Sequence, residues 1–387
     1  MGNPQLIKSL VGRIAGKGVA PQDNSPASSG HATPPRHEPS HKASSAASGE
    51  DGNRGKKRRR RGGKAKTDAT PWSLDDFPVD PLEGSTRFHD LGLREEIMHA
   101  IADLGFKYCS PIQAAILPHT LQGSDAIGKA QTGTGKTAAF LVTIFNDLLC
   151  NPIEGERFVG EPRALVIAPT RELVMQIAQD AEDLARHCDL QVATLIGGMD
   201  YQKQLNRLHT TVIDLVVATP GRLLDFMSRR DLYLAHVEIL VLDEADRMLD
   251  MGFIPQVKRI VRATPRREDR QTLLFSATFT QDIINLSEQW TYQPITIEIE
   301  PDHVATDSVD QKVYLVSSEQ RYRVLNNLVR SEDATSVIVF ANRRDQVRRL
   351  HERLRKSGVA AGILSGEIPQ AKRTSTLEQF KQGKIKV

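Results

Sequence analysis

Eight consecutive residues, Ala130-Gln131-Thr132-Gly133-Thr134-Gly135-Lys136-Thr137, have the composition of a turn that cradles phosphate. Gly133 and Gly135 let the backbone curl so that successive N–H groups face phosphate oxygens. Lys136 can then reach the β- and γ-phosphates, and the Thr137 hydroxyl can hold Mg²⁺. Residues 138–149 read as the helix whose N-terminus faces those phosphates. Ala130 stands where the usual G-x-x-x-x-G-K-[ST] pattern has its leading glycine. A second segment, Asp243-Glu244-Ala245-Asp246, follows the apolar run Ile239-Leu240-Val241-Leu242. Four aliphatics ending in two acids describe a buried strand that delivers a carboxylate to bound metal. In that reading Asp243 holds Mg²⁺, and Glu244 orients and deprotonates an attacking water, since phosphoryl transfer depends on positioning and charge neutralisation. Alone, the first segment is already fairly specific, with an ordinary surface turn as its alternative, whereas an isolated Asp-Glu pair reads as an acidic helix cap. Together, with strand-like segments between them, they predict a site that hydrolyses a nucleotide.

The elements that must position these groups recur along the chain. Helical periodicity covers 93–104, Gly105 marks a turn, and a second helix follows Ser110-Pro111. Strand-like runs then appear at 164–168, 192–196, 215–218, 239–242 and 272–275, with helical stretches such as 172–185 between several of them. This alternation predicts an α/β fold with a parallel sheet and crossover helices. Ligands in such folds sit beyond the carboxyl ends of the strands, which is where both segments fall. Residues 299–310 read as a hydrophilic linker. A second, shorter α/β unit is expected beyond it, with strands at 312–316, 337–340 and 361–364 and helices at 322–330, 343–357 and 371–383.

Composition sets the remaining bounds. The 387 residues carry a formal net charge of +3, but residues 54–66 hold nine basic groups and no acid, leaving −6 on the rest. Such a run binds polyanions through counterion release, without sequence preference and with steep salt dependence. A solvated linker is its alternative reading. Residues 1–70 contain no aromatic and are rich in Ser, Ala, Gly, Pro and His, so the expectation is a disordered basic arm. Within it, Leu6, Ile7, Leu10, Val11 and Ile14 share one helical face that could meet a membrane surface or a partner groove. No apolar run approaches about 18 residues and no secretory signal is evident, so no membrane span is expected and the location is cytoplasmic. The three cysteines, Cys109, Cys150 and Cys188, lack C-x-x-C spacing; this argues against a disulfide framework or a zinc site and marks them as packing residues.

In combination these motifs resemble the DEAD-box ATP-dependent RNA helicases, from about Phe88 to the C-terminus, with a flavour closest to bacterial members of the RNA-degradation type. The resemblance implies two RecA-like parallel-sheet lobes in tandem, with the basic arm at 1–70, an ATP-binding lobe at 71–298, the linker at 299–310 and a C-terminally incomplete second lobe at 311–387. Residues 105–113 are similar to the family's adenine-reading Q motif. Gln113 offers a donor and an acceptor to the N6/N7 edge of adenine, the upstream aromatic Phe88 stacks on the ring, and Phe106 is expected to pack in the core. The resemblance extends to RNA-facing motifs at Arg171, Gly197-Gly198 and Thr219-Pro220-Gly221-Arg222, whose groups grip phosphate and sugar without reading bases. Contacts to the 2′-OH would favour RNA over DNA. In the second unit Asn342, Gln370 and Arg373 are implied to touch RNA. Ser276-Ala277-Thr278 resembles the motif that hydrogen-bonds Asp246 and links hydrolysis to strand separation.

The implied activity is RNA-stimulated ATP hydrolysis, with ATP and Mg²⁺, coupled to local duplex unwinding in RNA degradation or ribonucleoprotein remodelling. RNA is the implied partner, together with an endoribonuclease-centred scaffold. The family's pattern continues past the position of Val387 into an arginine-rich motif that supplies arginine fingers, so weak turnover is expected of the chain as it stands. The alternatives are a nucleotide-gated RNA clamp with little turnover and a DNA-directed motor.

Overall fold

In the computed structural model, residues 72–299, 309–331 and 334–387 are described. The basic run at 54–66, the amphipathic stretch at 6–17 and most of the expected linker lie outside them. Two helices come first, α1 (Glu95–Asp103) and α2 (Pro111–Thr120). There follow β1 (Ala126–Lys129), α3 (Lys136–Cys150), β2 (Ala164–Ile167), α4 (Arg171–Leu184), β3 (Val192–Leu195), α5 (Tyr201–Thr210), β4 (Leu215–Ala218) and α6 (Pro220–Ser228). The order continues with β5 (Ile239–Leu242), α7 (Ala245–Asp250), α8 (Ile254–Val261), β6 (Gln271–Ser276), α9 (Gln281–Trp290) and β7 (Ile295–Glu298). The final elements are α10 (Arg321–Arg330), α11 (Arg344–Lys356) and α12 (Gln370–Lys381).

The strands form one seven-stranded sheet in the order β3-β4-β2-β5-β6-β1-β7, and every pairing is parallel. The five strands read from aliphatic runs are present; β1 and β7 were not read. Ala126-Ile127-Gly128-Lys129 is too short and too interrupted to signal a strand by itself, and Ile295–Glu298 alternates half-buried and exposed positions at the sheet edge. The central strands β2, β4 and β5 are buried at every residue, as a parallel sheet covered on both faces requires. One apolar cluster joins α1, α2, α3 and α4 to one face, with Phe140 and Phe275 at 5.6 Å. The other, around Leu165, Val216, Leu240 and Leu274, joins α6, α7, α8 and α9 to the opposite face.

The second unit departs from expectation. Its three helices form nearly as read, but none of the runs at 312–316, 337–340 and 361–364 is a strand. A strand requires a continuous ladder. Here 337–340 and 361–364 show isolated bonds, Val337 N–H to Lys386 O at 2.9 Å and Gly362 N–H to Val387 O at 2.8 Å. Several of the apolar side chains stay uncovered, Leu315 at 96% and Phe340 at 90% exposure, while Val337, Val339 and Ile363 are only half-buried. Alternating aliphatics favour a strand only when a partner edge and a covering layer are in place.

Cys109 and Cys188 are half-buried thiols, and burial pushes their pKa values up to about 12 and about 11, which fits a packing role. Cys150 ends α3 exposed, contrary to that reading. No helix among the described residues is long and apolar enough to cross a membrane.

Candidate nucleotide and nucleic-acid site

The turn between β1 and α3 has the shape its glycines predict. Gly133 and Gly135 adopt φ of +81° and +94°. Gly135 caps α3, so the helix N-terminus opens into a cleft of about 590 Å³. Residues 132–137 line this cleft, as do Gln113, Asp243 and Glu244. Ala130 is buried; its carbonyl accepts a 2.6 Å hydrogen bond from Lys136 Nζ, and its N–H donates to Ser276 O at 3.2 Å. Gln131 is exposed, and its carbonyl accepts from the Thr134 hydroxyl at 2.8 Å, closing the turn.

Gln113 lies one turn into α2, yet it is fixed by long-range geometry. Its Oε1 accepts from Ser110 N–H at 2.8 Å, and its Nε2 donates to Gly135 O at 3.0 Å. A carboxamide has two donors and two acceptor lone pairs, so one of each stays available to a base edge. The two aromatics exchange their expected places. Phe88, in a 3₁₀ turn, is 1% exposed and packs in the core, so it does not wall the cleft. Phe106 is 42% exposed and lines the cleft with Tyr108. The cause is local. Gly105 is left-handed (φ +71°), and Phe106 N–H donates to Ile101 O while Gly105 N–H donates to Ala102 O. That helix-ending motif swings the next residue off the helix's buried face. The outer wall was also missed: Leu173, Gln176, Asp180, Asp183 and Leu184 share one face of α4. Their helical spacing was legible, but nothing local indicated what the face looks onto.

At the end of β5, alternation would aim Asp243 and Glu244 at opposite faces. Glu244 instead takes φ +50°, ψ +53°, and both acids reach the cleft. A non-glycine residue held there costs on the order of 1–3 kcal/mol. Asp243 is 3% exposed and accepts from Glu244 N–H at 2.9 Å. Burial pushes its pKa up to about 6, against the opposing pull of the Lys136 ammonium. A raised acid pKa stabilises the fold fully below its ordinary value near 3.8, and that contribution is lost as pH rises through about 6. Asp243→Asn is therefore expected to melt higher than the parent at pH 7.5 without nucleotide, the gap shrinking toward pH 5. Thermal melts across that range check it, and a gap independent of pH would refute it.

Asp246, in the first turn of α7, points away to the next strand. Its Oδ2 accepts from both the N–H and the hydroxyl of Thr278, each at 3.0 Å. Ser276 does not touch Asp246; its hydroxyl donates to Thr278 O at 2.8 Å and shapes the turn.

Of the residues read as facing RNA, Arg171, Gly197, Gly198, Thr219, Gly221 and Arg222 gather at the carboxyl ends of β2, β3 and β4, and Gln370 and Arg373 reach Arg171 and Glu172 there. Arg171 opens α4 beneath Gly197-Gly198, and a Cβ at Gly198 (φ +78°) would collide with its guanidinium. Arg171 Nη1 donates to Gln370 Oε1 at 3.3 Å, while Glu172 Oε1 accepts from Gln370 Nε2 and Arg373 Nη2, each at 3.1 Å. Residues 198 to 201 positions apart are thereby brought together. Thr219 caps α6 and Gly221 has open space around its Cα. Arg222 lies over the Tyr201 and Phe226 rings at 5.2 and 5.8 Å; its buried Nε and Nη1 have no hydrogen-bond partner, and Nε sits 3.8 Å from Asp225 Oδ2. Asn342 is exposed.

The family model described as DEAD/DEAH box helicase matches residues 110–286, and that of the helicase conserved C-terminal domain matches 320–387. The chain is 59% identical over 309 residues to an ATP-dependent RNA helicase RhlB of Pseudomonas aeruginosa (strain UCBPP-PA14), covering 80% of this chain and 78% of that protein. It is 40% identical over 301 residues to an RhlB of Shewanella sp. (strain ANA-3), covering 78% and 68%. Among solved structures, S. cerevisiae Dbp5 bound to RNA and ADP BeF3 superposes with a TM-score of 0.68 at 28% identity, covering 78% of this chain and 75% of that one.

Proposed function

The chain belongs to the DEAD-box family of ATP-dependent RNA helicases, and from that membership we propose how its own residues carry the activity. ATP enters the cleft with its phosphates on residues 132–137 and its adenine near Gln113, Phe106 and Tyr108. Lys136 leaves the Ala130 carbonyl for the β/γ-phosphates. A hard divalent cation fits a buried carboxylate that faces the phosphate turn, so Asp243 and Thr137 are the groups to hold Mg²⁺. Bound there, Mg²⁺ supplies charge neutralisation at the phosphates. Glu244, turned into the same cleft, positions water and takes its proton.

Arg171, Gly197, Gly198, Thr219, Gly221 and Arg222 hold RNA by phosphate and sugar, with Asn342, Gln370 and Arg373 joining from the second unit. The basic run at 54–66 adds an anchor that weakens with salt. ATP draws the second unit, 311–387, onto the first, 71–298; the clamped strand bends, a few base pairs are lost, and hydrolysis resets the clamp. The pathway is RNA degradation or ribonucleoprotein remodelling in the cytoplasm, beside an endoribonuclease scaffold.

The observation that carries this reading is the paired hydrogen bond from Thr278 to Asp246, which ties the acid quartet to the turn after β6. Thr278→Ala removes the hydroxyl and is expected to leave RNA-stimulated ATPase within a few-fold while displacement of a short RNA duplex falls sharply. Equal loss of both activities would refute the coupling role. Undiminished displacement when the loading strand lacks 2′-hydroxyls would point to a DNA-directed motor.

A further inference from the structure

We propose that His99, Asp103 and His187 form a binding site for a zinc-type divalent transition-metal ion, separate from the nucleotide cleft. His99 and Asp103 are one turn apart on the same face of α1, and His187 comes from the turn that follows α4. One ligating atom of each lies within 4.8 Å of the others. His187 Nε2 and Asp103 Oδ2 are 2.8 Å apart. The His99 and His187 rings are parallel within 3° at 3.5 Å between centroids, and Trp72 stacks on the far side of His99 at 4.4 Å.

This arrangement selects a ligand class. Neutral imidazole nitrogens bind metal through their lone pairs, and His99 and His187 place two of them beside one carboxylate. Two nitrogens and one carboxylate oxygen suit zinc and its neighbours, whereas Mg²⁺ and Ca²⁺ call for all-oxygen sets. Three protein ligands leave a fourth position for water. Ligand bonds of about 2.0–2.1 Å need the rings to turn so that their lone pairs converge. Trp72 limits that movement on one side; the two imidazoles are half-buried and the Asp103 carboxylate is exposed. The nearest competing cation is Arg186, whose Nη1 is 3.6 Å from Asp103 Oδ2. Its Nη2 holds Asp183 more closely, at 2.9 Å, so a metal can take Asp103 without stranding it. Bound metal would join the end of α1 to the end of α4. Leu104, Asp183 and Leu184, adjoining those ends, wall the cleft, so the site would stiffen one side of it.

The test uses the full, nucleotide-free chain after chelator treatment, titrated with ZnCl₂ by calorimetry and with CoCl₂ by visible absorption. One saturable site with the intense bands of four-coordinate cobalt, displaced by zinc, is expected, together with quenching of Trp72 fluorescence. His99→Gln, His187→Gln and Asp103→Asn should each weaken binding at least as much as the roughly 10–100-fold seen for loss of supporting groups around metal sites. Changing His31, His37 and His41 together should not. Trp72→Phe should keep the affinity and lose the quenching. Because His99→Gln also removes a stacking partner, melts without metal identify any variant whose fold is impaired, and His187→Gln and Asp103→Asn then carry the result. No saturable uptake, or uptake unchanged in His99→Gln and His187→Gln, overturns the proposal.

Discussion

Glu244→Gln is expected to lower RNA-stimulated ATP turnover by about 10²–10⁴-fold, the range a positioned general base contributes, with ATP affinity nearly unchanged. The amide keeps the size of the side chain and its place at the left-handed turn that ends β5, but it cannot accept a proton. Single-turnover hydrolysis alongside fluorescent-nucleotide binding separates the two quantities. A variant that loses affinity and turnover together would show that Glu244 holds nucleotide and does not act on water. In the same variant, RNA should be retained with ATP for longer than in the parent, because closure precedes hydrolysis in the proposed cycle.

Gly135→Ala is expected to reduce ATP affinity by tenfold or more, about 1.4 kcal/mol. Two effects act at this position. Its φ of +94° disfavours any residue with a Cβ, by about 1–2 kcal/mol. The added methyl would also sit 2.5 Å from Gln113 Nε2 and 2.8 Å from Ser110 Oγ. Relief of that crowding must shift the turn or the Q-motif strut. Gly133→Ala is the internal control: φ is +81° but the space around its Cα is open, so only the backbone effect applies and the loss should be smaller. Isothermal titration with a non-hydrolysable ATP analogue compares them. Equal losses would mean that the Gln113 contact contributes nothing to the shape of the site.

Features encoded within a few residues were readable from the amino-acid chain alone. The phosphate turn was legible because Gly133 and Gly135 are needed for positive φ, and the strand before Asp243 was legible because four consecutive aliphatics suit a sheet covered on both faces. The order of strands and crossover helices followed from the same local periodicities. Which face each element presents, and to what, is set by long-range packing. Phe88 and Phe106 have the same side chain; a left-handed glycine and the packing of α1 send one to the cleft and the other to the core. Asp246 and Thr278 meet across 32 positions because β5 and β6 are neighbours in the sheet, an adjacency no short window contains. His187 reaches His99 and Asp103 across 84 and more positions for the same reason, through the packing of α1 beside α4. The runs at 312–316 and 337–340 make the converse point: their alternation suits strands, but pairing is a property of two segments and a covering layer, and neither run has both.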